Sequence, residues 1–177
     1  QGMHLEAVER LDLKTDLQVA LERGQFELNY QPIVGLEDEK LQGVEALLRW
    51  NHPTRGTVMT DRFIPPAEQT GLIDQLGPLL LRNACLRARS WQAEVAQAPR
   101  LHVNICGRQL ADDQFPTVVR NILAETGLAP HRLCPEIAES DLQGDTEVAV
   151  AALQRLKDVG IDLAIDDFGT GVSSLPH

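Results

Sequence analysis

The segment from residue 41 to residue 50 carries an acid and a base inside an apolar run, Leu41-Gln42-Gly43-Val44-Glu45-Ala46-Leu47-Leu48-Arg49-Trp50. Such a run predicts a β-strand, and its period of two places Glu45, Leu47 and Arg49 on one face. A carboxylate enclosed by apolar residues needs a cation or a charged partner, because burying it alone is costly. Glu45 is therefore either a ligand for a cation or one half of an internal ion pair with Arg49.

Further oxygen-bearing side chains stand at the ends of other apolar, strand-like stretches. They are Gln31, Asn104, Glu136 with Glu139, and Asp166 with Asp167. Sets rich in carboxylates and lacking cysteine and histidine favour hard ions such as Mg²⁺ or Mn²⁺. The candidate ligands of a first ion are Glu45, Asn104, Glu136 and Asp166, and a second ion could share Asp166 and add Asp167. Two such ions activate water against a phosphodiester, and Arg49 is a candidate for holding a phosphate oxygen.

Each of these residues also has a simpler interpretation. Asn104 on its own is typical of a turn, Glu139 could cap a helix, and His102, on the strand face of Asn104, is typical of a packed interior. The tetrapeptide Asp166-Asp167-Phe168-Gly169 is similar to a magnesium-binding motif of protein kinases. The sequence has no glycine-rich nucleotide loop and no His-Arg-Asp loop, which excludes a kinase.

The elements that must position these residues alternate between strands and helices. Strand patterns cover residues 26–34, 41–50, 101–106, 133–137 and 161–165, and helical periodicity covers residues 4–24, 63–69, 77–94, 116–126 and 146–159. The short link after residue 34 predicts a hairpin, residues 51–60 are predicted as a loop, and the later strands are expected to be parallel. We expect an α/β fold, namely a TIM-like (β/α) barrel whose first strand is antiparallel. The barrel is expected to be truncated after its fifth strand. Residues 1–23 are expected to be a linker helix from a preceding module, and residues 24–177 the barrel domain, incomplete at its C-terminus.

Composition narrows the class of protein. Of the 177 residues 43% are apolar and 24% are charged, as in ordinary globular domains, and the net charge of −10 disfavours a nucleic-acid polymer as partner. No apolar run is long enough to cross a membrane and no signal peptide opens the sequence, so we expect a cytoplasmic location without direct membrane contact. The three cysteines, Cys85, Cys106 and Cys134, lack the spacing of a zinc site and are expected to be reduced thiols.

Several separated motifs together resemble the EAL-type cyclic-di-GMP phosphodiesterase domains. The matching stretches are Tyr30-Gln31-Pro32-Ile33, Glu45-Ala46-Leu47-Leu48-Arg49-Trp50, Phe63-Ile64-Pro65, Gly71-Leu72-Ile73, Val103-Asn104, Glu136-Ile137-Ala138-Glu139-Ser140 and Asp166-Asp167-Phe168-Gly169-Thr170-Gly171. They follow the order and spacing of that family from about residue 24 to the end of the sequence. Pro135 departs from the apolar residue usual in its strand, so we expect altered strand pairing there.

The resemblance implies a role for each matched residue. By resemblance Glu45, Asn104, Glu136, Asp166 and Asp167 are metal ligands; Gln31, Leu47 and Arg49 contact the dinucleotide; and Glu139 steadies the loop of the two aspartates. Glu45, Asp166, Asp167 and Glu139 are thus the candidate catalytic residues. The implied cofactors are two Mg²⁺ or Mn²⁺ ions, and the implied partners are cyclic-di-GMP, a second copy in a homodimer and a preceding diguanylate cyclase or sensor domain.

The implied reaction is the metal-dependent hydrolysis of cyclic-di-GMP to linear pGpG. Family members continue through three further strands with a catalytic lysine, whereas the lysines of this sequence are Lys14, Lys40 and Lys157. The alternative is therefore a receptor for cyclic-di-GMP or a protein-interaction module without turnover.

Overall fold

The computed structural model describes residues 13–95, 97–142 and 146–166, with both strands and helices. Helix α1 includes residues 13–22. The strands are β1 (Phe26–Val34), β2 (Leu41–His52), β3 (Gly56–Val58), β4 (Arg100–Ile105), β5 (Leu133–Ala138) and β6 (Ala164–Asp166). The other α-helices are α2 (Thr60–Thr70), α3 (Ile73–Glu94), α4 (Gly107–Leu110), α5 (Phe115–Thr126) and α6 (Thr146–Lys157), and two 3₁₀ helices span Pro130–Arg132 and Glu139–Leu142.

The strands form one open sheet within the part of the chain that is described. Its order is β1-β2-β4-β5-β6, with β3 pairing with β2. Strand β2 is parallel to β4, β4 to β5 and β5 to β6. The parallel pairing and the intervening helices are those of a TIM-like (β/α) barrel, as the sequence predicts.

The first two strands form the expected hairpin. At one end the amide of Gly35 donates to the carbonyl of Lys40 over 2.9 Å, and at the other the amide of Asn51 donates to the carbonyl of Gln25 over 2.8 Å. The residue after β1 thus pairs with the residue before β2, and the residue before β1 pairs with one near the end of β2. Strands β1 and β2 are therefore antiparallel. The prediction of an antiparallel first strand is confirmed.

The parallel strands separate two kinds of side chain onto the two faces of the sheet. Residues that are partners in the register of parallel strands project from the same face. One face carries apolar side chains, among them the buried Val44, Ala46, Leu101, Ile105, Leu133 and Ile137. The other face carries Glu45, His102, Asn104, Glu136 and Asp166. Burial of the apolar face holds the strands in register and leaves the polar face for the site.

The described residues form two compact units, the first of residues 13–29 and 47–80 and the second of the remainder. In the first unit the rings of Phe26, Trp50 and Phe63 contact one another, with ring centroids 5.7 to 5.8 Å apart. The indole Nε1 of Trp50 donates to the side-chain oxygen of Gln25 over 3.2 Å, so this buried polar group has a partner.

The core of the second unit includes the fully buried Leu101, Leu133, Ile137 and Leu156. Burial raises the pKa of the Cys85 thiol to about 12, so Cys85 is protonated at neutral pH. No disulfide links Cys85, Cys106 and Cys134, in agreement with the prediction of thiols. Of the helices in the described ranges, none combines the length and the apolar character needed to span a membrane.

Most predicted elements are found, with two corrections. The predicted loop at residues 51–60 was wrong, because residues 56–58 form β3 and pair with β2 from Trp50↔Val58 to His52↔Gly56. The expected change in strand pairing at Pro135 does not occur toward β4, where the register runs through Val103↔Pro135. Strand β6 pairs with β5 only from Glu136 onward, so the proline lies before that ladder begins.

Candidate functional site

The polar face of the second unit brings four of the predicted ligands onto neighbouring strands. Glu45 lies on β2, Asn104 on β4, Glu136 on β5 and Asp166 on β6. Asn104 is the direct register partner of Glu136, and Asp166 is that of Ala138, two residues after Glu136. Asn104 and Asp166 lie at the C-terminal ends of their strands, where (β/α) barrels place their active sites, whereas Glu45 lies nearer the middle of the longer strand β2.

Glu45 and Asn104 are in direct contact. The Asn104 amide nitrogen Nδ2 donates to Glu45 Oε1 over 2.7 Å, although the residues are 59 positions apart in the chain. Glu45 is half-buried and Asn104 is exposed, so the pair sits at the boundary between the sheet and solvent. The contact satisfies one oxygen of a carboxylate that would otherwise be costly to enclose, and it leaves the amide oxygen Oδ1 as a second acceptor beside it.

Glu136 is held by a histidine that the sequence pattern indicated as interior packing. His102 Nδ1 donates to Glu136 Oε1 over 2.7 Å, and the two side chains are 17% and 14% exposed. A hydrogen bond with Cys134 and, next, the bond to Glu136 raise the pKa of His102 to about 9, against the opposing effect of desolvation. The imidazole is therefore a cation at neutral pH, paired with the Glu136 carboxylate.

The interior-packing interpretation of His102 therefore missed its polar contact. The signal in the sequence was its position two residues before Asn104, on the same strand face. What the sequence does not give is the register between β4 and β5, which decides that His102 reaches Glu136. A position on a strand face alone is also compatible with simple burial.

Asp166 is an exposed residue and ends strand β6. Glu139 is half-buried and begins the 3₁₀ helix that directly follows β5. Asp167, the second residue of the predicted aspartate pair, lies outside the described residues.

The three predicted dinucleotide contacts lie on the first two strands. Gln31 is exposed on β1, and Leu47 and Arg49 are half-buried on β2, where they alternate with the buried Ala46 and Leu48 as the period of two predicts. The guanidinium of Arg49 donates through Nη1 to the carbonyl of Leu48 over 2.7 Å. Gln31 belongs to the second unit, and Leu47 and Arg49 belong to the first.

The donor chemistry of the polar face fits a hard divalent cation. Over residues 13–95, 97–142 and 146–166, no three His, Cys, Asp or Glu side chains form a metal-binding group. The oxygen-bearing side chains that meet on this face are the mixed pair of Glu45 and Asn104, which are in direct contact, with Glu136 on the next strand. Carboxylate and amide oxygens are the ligands that Mg²⁺ and Mn²⁺ take in proteins.

Comparisons with known proteins show the family to which the chain is similar. The sequence model of the EAL domain matches residues 14–177. The chain is 45% identical over 166 residues to an uncharacterized protein of Mycobacterium tuberculosis, a match that covers 93% of the chain and 54% of that protein. It is 41% identical over 174 residues to the bifunctional diguanylate cyclase/cyclic di-GMP phosphodiesterase MucR of Pseudomonas aeruginosa, covering 98% of the chain and 25% of MucR.

The fold is similar to the solved structure of the PaMucR phosphodiesterase in complex with c-di-GMP. The TM-score is 0.87 at 40% sequence identity, and the match covers 92% of this chain and 66% of that one. The chain thus spans about half the length of the mycobacterial relative and a quarter of MucR.

Proposed function

Because this chain belongs to the EAL domain family, we propose that it is part of a domain that hydrolyses cyclic di-GMP to linear pGpG with Mg²⁺ or Mn²⁺. The observation that supports this most is the polar sheet face, where Asn104 contacts Glu45 over 2.7 Å and pairs in register with Glu136. The direct side-chain partner of Glu45 is the Asn104 amide, whose own oxygen is a further candidate ligand beside the carboxylate.

The donors on the polar face have distinct roles in this proposal. Glu45, Asn104, Glu136 and Asp166 would hold one ion, and Asp166 with Asp167 would hold the second. When bound, the ions supply a Lewis acid to the phosphate oxygens and lower the pKa of the attacking water. In the reaction a water oxygen bonds to phosphorus and the bond from phosphorus to one ribose oxygen breaks. The water loses one proton, and the leaving ribose oxygen gains one, so that one water molecule is consumed in all.

The remaining predicted residues serve the substrate and the loop. Arg49 would bind a phosphate oxygen, for which its planar guanidinium is well suited, while Gln31 and Leu47 would contact the dinucleotide. Glu139 begins the segment directly after β5 and would steady the aspartate pair that starts at the end of β6. We also propose that the protein acts as a homodimer and that a diguanylate cyclase or sensor domain accompanies it.

The test is turnover by the full-length protein that carries this chain. Cyclic di-GMP is incubated with Mn²⁺ or Mg²⁺, and linear pGpG is followed by chromatography. We expect Glu45→Gln to lower kcat by about 100-fold or more, because the neutral amide removes a negatively charged donor for the cation. The matched control is Glu94→Gln, at an exposed residue that ends α3, and it should retain full activity.

Two results would overturn this assignment in different ways. Cyclic di-GMP binding without any pGpG would refute hydrolysis and leave the receptor alternative. Equal activity of Glu45→Gln and the wild type would retain the reaction and refute the proposed site.

A further inference from the structure

We propose that His102 is a positioning residue that fixes the carboxylate of Glu136 and thereby sets how tightly the site holds its divalent ion. This inference rests on the proposed function, because it concerns the ion that the polar face would bind. It assigns a role to a side chain outside the predicted ligand set.

The first argument is the contact itself. Glu136 is the register partner of Asn104, yet its carboxylate bonds to His102, the residue two positions earlier on β4. The carboxylate therefore leans diagonally across the strands. A glutamate has three rotatable side-chain bonds, and fixing them in one arrangement costs conformational entropy. A donor already in place at 2.7 Å removes much of that cost before an ion binds.

The second argument is that the imidazole is itself confined. His102 pairs in register with Glu45 on one side and with Cys134 on the other. Its ring also lies against Gly43, where an added Cβ would come within 2.9 Å of His102 Cδ2 and 3.0 Å of Nε2. The absence of a side chain at residue 43 thus makes room for the ring. A ring held between neighbouring strands can direct Nδ1 at one acceptor.

The third argument is what the bond leaves available. A carboxylate has two oxygens, and His102 uses Oε1. The other oxygen can face an ion, and hydrogen bonds to ligating carboxylates of this kind are a regular part of metal sites. Loss of such an outer partner typically costs about 10- to 100-fold in metal affinity or activity.

The experiment measures Mn²⁺ binding by calorimetry in the full-length protein without substrate. Asn and Gln provide a matched pair of variants, since the Asn amide nitrogen lies near the position of imidazole Nδ1 and the Gln nitrogen near that of Nε2. We expect His102→Gln and His102→Ala to weaken Mn²⁺ binding by roughly 10-fold, and His102→Asn to stay within about 3-fold of the wild type. The control is His131→Ala, at an exposed histidine in the 3₁₀ helix that precedes β5.

The melting temperature of the metal-free variants separates positioning from a loss of stability. If Mn²⁺ affinity follows the melting temperature and not the position of the donor, the role of His102 is structural and the inference is refuted. The inference is also refuted if His102→Ala and His102→Gln both bind Mn²⁺ as tightly as the wild type or more tightly. Tighter binding would mean that His102 competes with the ion for Glu136. If the wild type takes up no Mn²⁺, the proposed function and this inference both fail. If the wild type binds Mn²⁺ and turns over cyclic di-GMP, but the variants have the same Mn²⁺ affinity as the wild type, only the inference is refuted.

Discussion

At the scale of single residues, the contact between Asn104 and Glu45 joins two strands at the proposed ion site. The amide nitrogen donates to one carboxylate oxygen over 2.7 Å, and the amide oxygen is left as an acceptor, the proposed ligand for the ion. We expect Asn104→Ala to weaken Mn²⁺ binding by roughly 10- to 100-fold, because it removes one ligand and releases another. Calorimetry on the full-length protein measures this, with Asn121→Ala at an exposed position of α5 as the control. Equal Mn²⁺ affinity in both variants would exclude Asn104 as a ligand.

Gly43 is a second residue whose identity the site depends on. Any Cβ at this position would come within 2.9 Å of the His102 ring and 3.1 Å of the Arg100 carbonyl, closer than packed atoms lie. We expect Gly43→Ala to lower the free energy of unfolding by about 1–3 kcal/mol, as overpacking does in other cores. Urea denaturation measures the change. A double variant with His102→Ala should recover part of the loss, since it removes the ring, and a purely additive result would show that the two residues do not interact.

At the scale of secondary structure elements, the β2–β3 turn depends on one buried side chain. His52 ends β2 and is 8% exposed, although the sequence suggested a loop residue. Its Nδ1 accepts hydrogen bonds from the backbone amides of Thr54 and Arg55 over 3.2 and 3.3 Å. Its Nε2 donates to the Asp16 carboxylate oxygen Oδ2 over 3.1 Å. One ring therefore closes the turn and ties it to helix α1.

We expect His52→Ala to lower the free energy of unfolding by about 1–3 kcal/mol, because it leaves two turn amides without their acceptor and removes packing against Trp50. Urea denaturation again gives the value. His52→Asn should lose less, since its side-chain oxygen can accept at the position of Nδ1. A loss as large for Asn as for Ala would show that ring packing, and not the hydrogen bonds, stabilises the turn.

The elements that the sequence predicted are those with long periodic patterns. Strand β2 and helices α3 and α5 each repeat their apolar residues over several turns or pleats, and α5 ends at Gly127, whose φ of 69° permits the left-handed turn. Strand β3 was missed because it has only three residues and includes Gly56, so no period can be read from it. Its existence depends on pairing with β2.

The candidate site likewise has one part that the sequence pattern predicts and one part that it does not. The placement of Glu45, Asn104, Glu136 and Asp166 on one sheet face could be predicted from the alternation along apolar strands, while their role as ligands stays a prediction. The bond between His102 and Glu136 could not be predicted, since 34 residues separate them and only the register brings them together. Contacts set by the register between strands are tertiary, and a local pattern does not encode them.

At the scale of the whole molecule, charge connects ion binding with stability. The chain has 26 acidic and 16 basic residues, a net charge of −10, and the proposed site adds neighbouring carboxylates to that field. Such repulsion disfavours the compact state, and cations that bind only the folded protein offset it. The proposed site is therefore expected to lower the free energy of unfolding of the metal-free protein and to raise it when ions are bound.

Thermal unfolding of the full-length protein tests this linkage. At 100 times its dissociation constant, an ion that binds only the native state adds about 2.7 kcal/mol of stability. We expect Mn²⁺ to raise the melting temperature of the wild type and to raise that of Glu45→Gln much less, because the variant lacks a charged ligand. Equal stabilisation of both proteins by Mn²⁺ would show that the ion binds outside the polar face.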